Sequence, residues 1–117
     1  MSQASKVRKD AGQLNVGKTV YTTETVVGTG SGKNPISLET TVTFLVGTAV
    51  GDLTLEDGVT GQVKHLIMID DTANCVLDTG DANLLPASNL TFAADGDSVT
   101  LVYNGSAWVV INNTIAA

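Results

Sequence analysis

One histidine, one cysteine and a scatter of aspartates are the residues in this chain whose side chains could carry chemistry. His65 lies in the run Val63-Lys64-His65-Leu66-Ile67-Met68-Ile69, a largely apolar strand candidate. That setting suits a packed or solvent-tipped imidazole better than a general base. A nucleophilic site would need His65 and Cys75 to converge from different strands, and no nucleophile elbow surrounds Cys75. One His and one Cys cannot build a three- or four-ligand zinc site within one chain. Asp70, Asp71, Asp78 and Asp81 lie close together, and Asp95-Gly96-Asp97 follows. Oxygen-rich loops can hold Ca²⁺, but EF-hand spacing is missing, and Asp beside Gly is what β-turns use for local backbone bonds. The loop Gly28 to Pro35, GTGSGKNP, fails as a phosphate-binding loop. Asn34 follows Gly32-Lys33 where Ser or Thr is required, Val27 stands where the first Gly should be, and no helix pattern follows. The expectation is no enzyme, no metal and no cofactor.

The elements that position these residues are all strands. No stretch repeats apolar residues at helical spacing over eleven or more positions, and about eight short β-rich runs alternate with Gly, Asp and Asn turns. The chain is read as all-β, a small β-sandwich or jelly-roll-like body over residues 19–117 behind an extended arm over residues 1–18. At 117 residues it can bury a sufficient core without a disulfide, and its lone Cys75 is expected to be a small buried hydrophobe. Aromatics make up 4% of the chain, so Val, Leu and Ile must fill the core, and oligomer contacts become an expected further source of burial.

The strands can be placed in order. Thr19 to Val27 reads as a half-exposed or edge strand. Ile36 to Val46 alternates, which predicts one long strand with Ile36, Leu38, Val42, Phe44 and Val46 inward and Ser37, Glu39, Thr41 and Thr43 wet. Leu53 to Leu55 is a short run, Val63 to Ile69 is the most deeply buried candidate, and Ala73 to Leu77 follows. Leu84-Leu85-Pro86 reads as an apolar anchor within a turn-rich segment. The clearest stretch is Asn89 to Asn112, where Asn104-Gly105 between alternating apolar residues predicts a two-residue type I′ hairpin turn with Tyr103 opposite Ser106. Val99, Leu101 and Tyr103 then share a face, and the strand carrying Trp108 and Val110 is apolar on both sides, as though covered by a second sheet or another subunit.

Charge is segregated. Lys6, Arg8, Lys9 and Lys18 face only Asp10 in the first eighteen positions, a net charge of +3, whereas the remainder carries Lys33 and Lys64 against eleven carboxylates, a net charge of −9. An acidic body repels nucleic acid, and the arm has no aromatic residue for base stacking, so no nucleic-acid partner is expected. The arm's cations suit an acidic protein surface. The sequence opens without a signal-peptide pattern, and its longest strictly apolar run is Leu66 to Ile69, which predicts neither that export route nor a membrane span. The Asn-X-Ser/Thr triplets at Asn89, Asn104 and Asn112 imply no glycan in that setting.

The pattern Asp57-Gly58, Gly61-Gln62-Val63-Lys64 and a strand, followed by DGDSVTLVYNGSAW with its terminal Trp strand, resembles the β-rich structural proteins on the virions of tailed bacteriophages. It is similar to head decoration (cement) proteins and related head-fibre or tail-fibre modules, over about half of the chain. The resemblance implies a homotrimer on the major capsid protein at three-fold or quasi-three-fold positions, on the outer capsid surface after synthesis in the host cytoplasm. The chain has room for neither a repetitive shaft nor a receptor-binding tip, which favours decoration over a fibre. On this reading Lys6, Arg8, Lys9 and Lys18 form the capsid-binding arm, and Tyr103, Asn104, Gly105, Trp108 and Val110 the hairpin and trimer packing. The alternative is a receptor- or carbohydrate-binding module, with Trp108, Tyr103 and Tyr21 as candidate aromatic platforms.

Overall fold

The computed structural model describes residues 19–115. It is all-β and holds ten strands among the described residues: β1 (Thr23–Gly28), β2 (Lys33–Pro35), β3 (Val42–Gly47), β4 (Gly51–Thr54), β5 (Val63–Asp70), β6 (Cys75–Leu77), β7 (Leu84–Leu85), β8 (Leu90–Phe92), β9 (Ser98–Tyr103) and β10 (Trp108–Asn113). Six form one sheet in the order β1-β3-β5-β9-β10-β7, and four form a second in the order β2-β4-β6-β8. From β1 to β6 the chain alternates between the sheets, so β1, β3 and β5 stack in parallel, as do β2, β4 and β6.

This is a β-solenoid-like arrangement, not the antiparallel jelly roll that the turn spacing suggests. Each circuit returns the chain beside its previous circuit: Thr23 pairs with Val42 and Asn34 with Leu53, nineteen residues on, then Val42 with His65, twenty-three on. The circuits differ in both length and sequence, so no repeat betrays them. Antiparallel strands close the stack, β9 against β5 and β10 in one sheet and β8 against β6 in the other. Leu45, Leu53, Leu66, Met68, Leu77, Phe92, Leu101 and Trp108 fill the space between the sheets.

Most of the longer strands were legible, but β7, in the segment read as a loop anchor, and the sidedness of β3 were not. Thr43 and Leu45 point inward, and Val42, Phe44 and Val46 point outward. The predicted long strand is broken: Ile36 is buried, the chain turns a corner through residues 37–41, and β3 starts on the opposite parity. The segment Gly28 to Pro35 likewise contains an edge strand, β2, at its end, where Pro35 costs no ladder bond that an interior strand would need.

The corner is held by an ammonium group. Lys64 on β5 is fully buried, and its Nζ donates to Ser37 O at 2.8 Å, Thr40 O at 2.7 Å, Thr40 Oγ1 at 3.1 Å and Thr43 Oγ1 at 3.0 Å. Glu24 of β1 lies 3.7 Å away, and the Thr40 and Thr43 hydroxyls, which donate to its Oε2 at 3.1 and 2.7 Å, bridge the two charges. The Ser37 amide adds a third donor at 2.9 Å. Burial pushes the Glu24 carboxyl upward. The bonds from Thr43, the Ser37 amide and Thr40, together with the Lys64 charge, outweigh that and hold it below the usual glutamate range. Burial draws Lys64 below the usual lysine range, against the pull of Glu24.

Replacing Lys64 with Met keeps the length of the side chain and strands two buried carbonyls together with a carboxylate. Urea unfolding of Lys64→Met is expected to show a loss of about 3 kcal/mol, the lower end for breaking a buried pair. For Glu24 the folded group is the stronger acid, so the unfolded chain binds more protons below the usual glutamate range and stability falls as pH drops through it. Glu24→Gln removes that contribution, and a pH series of unfolding midpoints should show a shallower acid limb for the variant than for the parent.

Candidate interaction surface

The two outer faces of the stack differ in kind. On the four-stranded sheet Lys33, Asp52, Thr54 and Thr91 point outward, and Lys33 Nζ bridges Asp52 at 3.4 Å and Asp81 at 2.8 Å. The lysine of the glycine-rich loop is therefore an exposed tie between successive circuits. On the six-stranded sheet the outward side chains line up by register. One row runs Val63, Val102, Val109, Leu85; the next Thr23, Val42, His65, Thr100; the next Thr25, Phe44, Ile67, Ser98; and the last Val27, Val46. The first three rows contain no Asp, Glu, Lys or Arg, and the last ends at the rim on Asp70, opposite Val46 where the register shifts. Val27, Val63, Leu85 and nearby Ile69 and Ile111 are among the most exposed large apolar residues.

The run from Val63 to Ile69, expected to be buried on both sides, is buried on one: Lys64, Leu66 and Met68 face the core while His65 and Ile67 belong to the outer face. His65 Nδ1 lies 3.0 Å from Thr100 Oγ1, and the Tyr21 ring stands 6.0 Å away, centroid to centroid. Tyr21, Val42, His65, Ile67, Ser98 and Thr100 border a shallow depression of about 290 Å³. The last strand also departs from expectation, because Trp108 is buried but Val109 and Val110 are half-buried and Ile111 is exposed at a β-bulge.

Cys75 is buried beside Gly28, and burial pushes its thiol up, away from reactivity. The aspartates act as turn groups. Asp97 Oδ2 accepts the Ala93 and Ala94 amides, both at 3.0 Å, Asp70 Oδ1 accepts from the Thr72 amide and hydroxyl, and Asp78 Oδ1 accepts from Gly80 N. Among the described residues no group of three or more His, Cys, Asp or Glu is placed to hold a metal ion, and no helix is long and apolar enough to cross a membrane.

The hairpin residues have a different place from the one their motif suggests. Tyr103 pairs with Trp108, not facing Ser106, so the loop has four residues, Asn104 to Ala107. Asn104 Oδ1 accepts the Ser106 and Ala107 amides, each at 2.8 Å, and Gly105 takes a φ of 101°. The Asn side chain closes the turn that the backbone of a two-residue loop would have closed. Tyr103 and Trp108 point inward and stack edge to face with centroids 5.2 Å apart, while Val110 is partly buried against the same core. Their side chains are spent on the subunit's own interior, so Trp108 and Tyr103 offer no exposed aromatic platform; Tyr21 does. Lys6, Arg8, Lys9 and Lys18 lie outside the described residues.

The two halves of the Asp57-to-Trp108 pattern meet around that indole. Trp108 Nε1 donates to Glu56 O at 2.9 Å, Gly61 N donates to Tyr103 O, Tyr103 N donates to Gln62 O, and Gln62 Nε2 donates to Leu38 O. Gly58 allows the approach: a Cβ there would fall 2.8 Å from Trp108 Cζ2 and 2.5 Å from Gln62 Oε1. The motif is thus a packing unit that closes the stack.

Sequence reasoning missed Lys64 and the outer face. Lys64 stands near the start of a strand on the same parity as Leu66 and Met68, a pattern that signals a buried cation with partners elsewhere. The face was hidden by the parity error in β3. No protein-family model matches the chain, and no curated protein matches it. With Trp108 fully buried, native fluorescence of this sole tryptophan is expected to resist iodide quenching. Gly58→Ala should restore accessibility in part and cost about 1–3 kcal/mol, as overpacking does.

Proposed function

We propose that this chain is a virion structural protein, a decoration (cement) protein that binds the major capsid protein of a tailed bacteriophage as a homotrimer and stabilises the head. The observation that carries the reading is the division of charge. A net charge of +3 lies in the first eighteen residues, and a net charge of −9 lies in the rest, with one outer sheet face on the folded body that is uncharged but for Asp70 at its rim. A rigid acidic block with a cationic extension suits a protein that clamps neighbouring subunits, because the arm finds negative surface at a distance while the body holds its shape. The motif residues from Asp57 to Trp108, on which the resemblance rests, serve packing and fit a part whose work is mechanical.

On this reading Lys6, Arg8, Lys9 and Lys18 contact the capsid exterior, and three arms per trimer multiply modest affinities. The acidic body binds no nucleic acid and no membrane, and the protein turns over no substrate. Deleting residues 2–15 is expected to abolish co-sedimentation with undecorated capsids while leaving the oligomer intact. Raising salt to about 0.5 M, where screening acts within a few ångströms, should weaken the parent's binding in the same assay. Capsid binding unchanged by the deletion overturns the role of the arm.

A further inference from the structure

We propose that the outer face of the six-stranded sheet is covered by the same face of two further copies of this chain, the three meeting about a three-fold axis; the inference deepens the homo-oligomeric reading above and rests on it. Three observations select that occupant. The first is charge. Two bodies of net charge −9 repel wherever their carboxylates meet, and the three inner rows of this face contain no ionised side chain, Asp70 standing only at its rim, whereas the opposite sheet presents Lys33 and Asp52. A self-contact therefore meets least repulsion on this sheet face.

The second is size. Six strands at about 4.8 Å spacing and six residues at about 3.3 Å rise give a footprint of roughly 500 Å². Three such faces meeting about a three-fold axis together withdraw roughly 1,500 Å², while the roughly 500 Å² between any one pair is less than a specific dimer needs, so the closed three-fold assembly is the stable one. The third is what the rest of the chain can supply. Residues 1–18 contain Met1, Val7, Leu14 and Val16 as their large apolar residues among five charged ones, too few to cover a face that includes Phe44, Ile67, Val63 and Val102. A flat, β-branched, uncharged surface needs a partner of the same character, and this face is itself such a surface.

The central contact is the row through Phe44 and Ile67, flanked by the row through Val63 and Val102. In a three-fold assembly each face is shared between two neighbours, and the three sheets enclose a common apolar centre.

The test is sedimentation equilibrium of the full chain at about 20 μM, a concentration at which micromolar affinity suffices, with folding checked by circular dichroism. The parent is expected at three times the monomer mass, and Phe44→Glu at the monomer mass with its β-sheet spectrum retained. Val63→Glu, at a more exposed position, decides the matter if Phe44→Glu fails to fold. Thr91→Glu, on the opposite sheet, should leave the mass unchanged. A monomeric parent overturns the inference, and so does an oligomer that survives both Phe44→Glu and Val63→Glu. A parent oligomer that these variants dissociate, yet that never binds capsids, supports the face and overturns the capsid reading. Capsid binding by a monomeric parent does the reverse.

Discussion

A buried ammonium group sets the geometry on which the rest of this fold depends. Lys64 cannot reach water, so its charge must be met by oxygens within the protein, and two of those come from main-chain carbonyls at a corner, Ser37 and Thr40. A third comes from Thr43, which must point inward to reach it. That requirement fixes the parity of β3. With Thr43 turned in, Val42, Phe44 and Val46 turn out, and an apolar set that would otherwise have joined the core becomes the middle of an outer surface. Glu24 extends the same constraint to β1, so a single cluster ties three successive parallel strands. Glu24 is also an inward-pointing charge on an edge strand, a feature that discourages further strand addition there.

The consequence is a body with two unlike outer faces. Stacked circuits make contact mainly with their neighbours, so each sheet is wetted on its outer side unless something else covers it. On the four-stranded side the outward residues are mostly polar, Lys33, Asp52, Thr54 and Thr91 beside Pro35 and Val76, with Lys33 spanning Asp52 and Asp81. On the six-stranded side they are valine, isoleucine, phenylalanine, threonine and serine. Contiguous, nearly uncharged surface of this extent is the kind that interfaces use. If copies associate there as proposed, the strong net negative charge elsewhere limits association at other places and makes that face the selective one.

How much of this could be read from the residues varies with the kind of information. Strands β5, β9 and β10 follow from alternation and turn chemistry, because antiparallel pairs and local turns are written in neighbouring residues. The edge position of β1 follows from its threonines. Parallel stacking does not, since Thr23 and Val42 meet only through a circuit whose length and sequence change each time. The side of β3 was unreadable for a sharper reason. Phe44-Leu45-Val46 is apolar at both parities, and only a lysine twenty-one residues beyond Thr43 decides which parity is inside. At the Asn104-Gly105 turn the residues were right and the loop length was wrong, because Asn104 caps two amides with its side chain and so admits two more residues. The arm and its four cations were legible only as charge.

The described chain begins beside the neutral face, where the Tyr21 ring stands 6.0 Å from that of His65 at the border of the outer rows. On the proposed reading two kinds of contact divide the work, an uncharged one among identical copies through the outer face and a charged one toward a foreign acidic surface through the cations of the first eighteen residues. Neither requires the interior to move, because Lys64, Glu24 and Trp108 are all spent within the body.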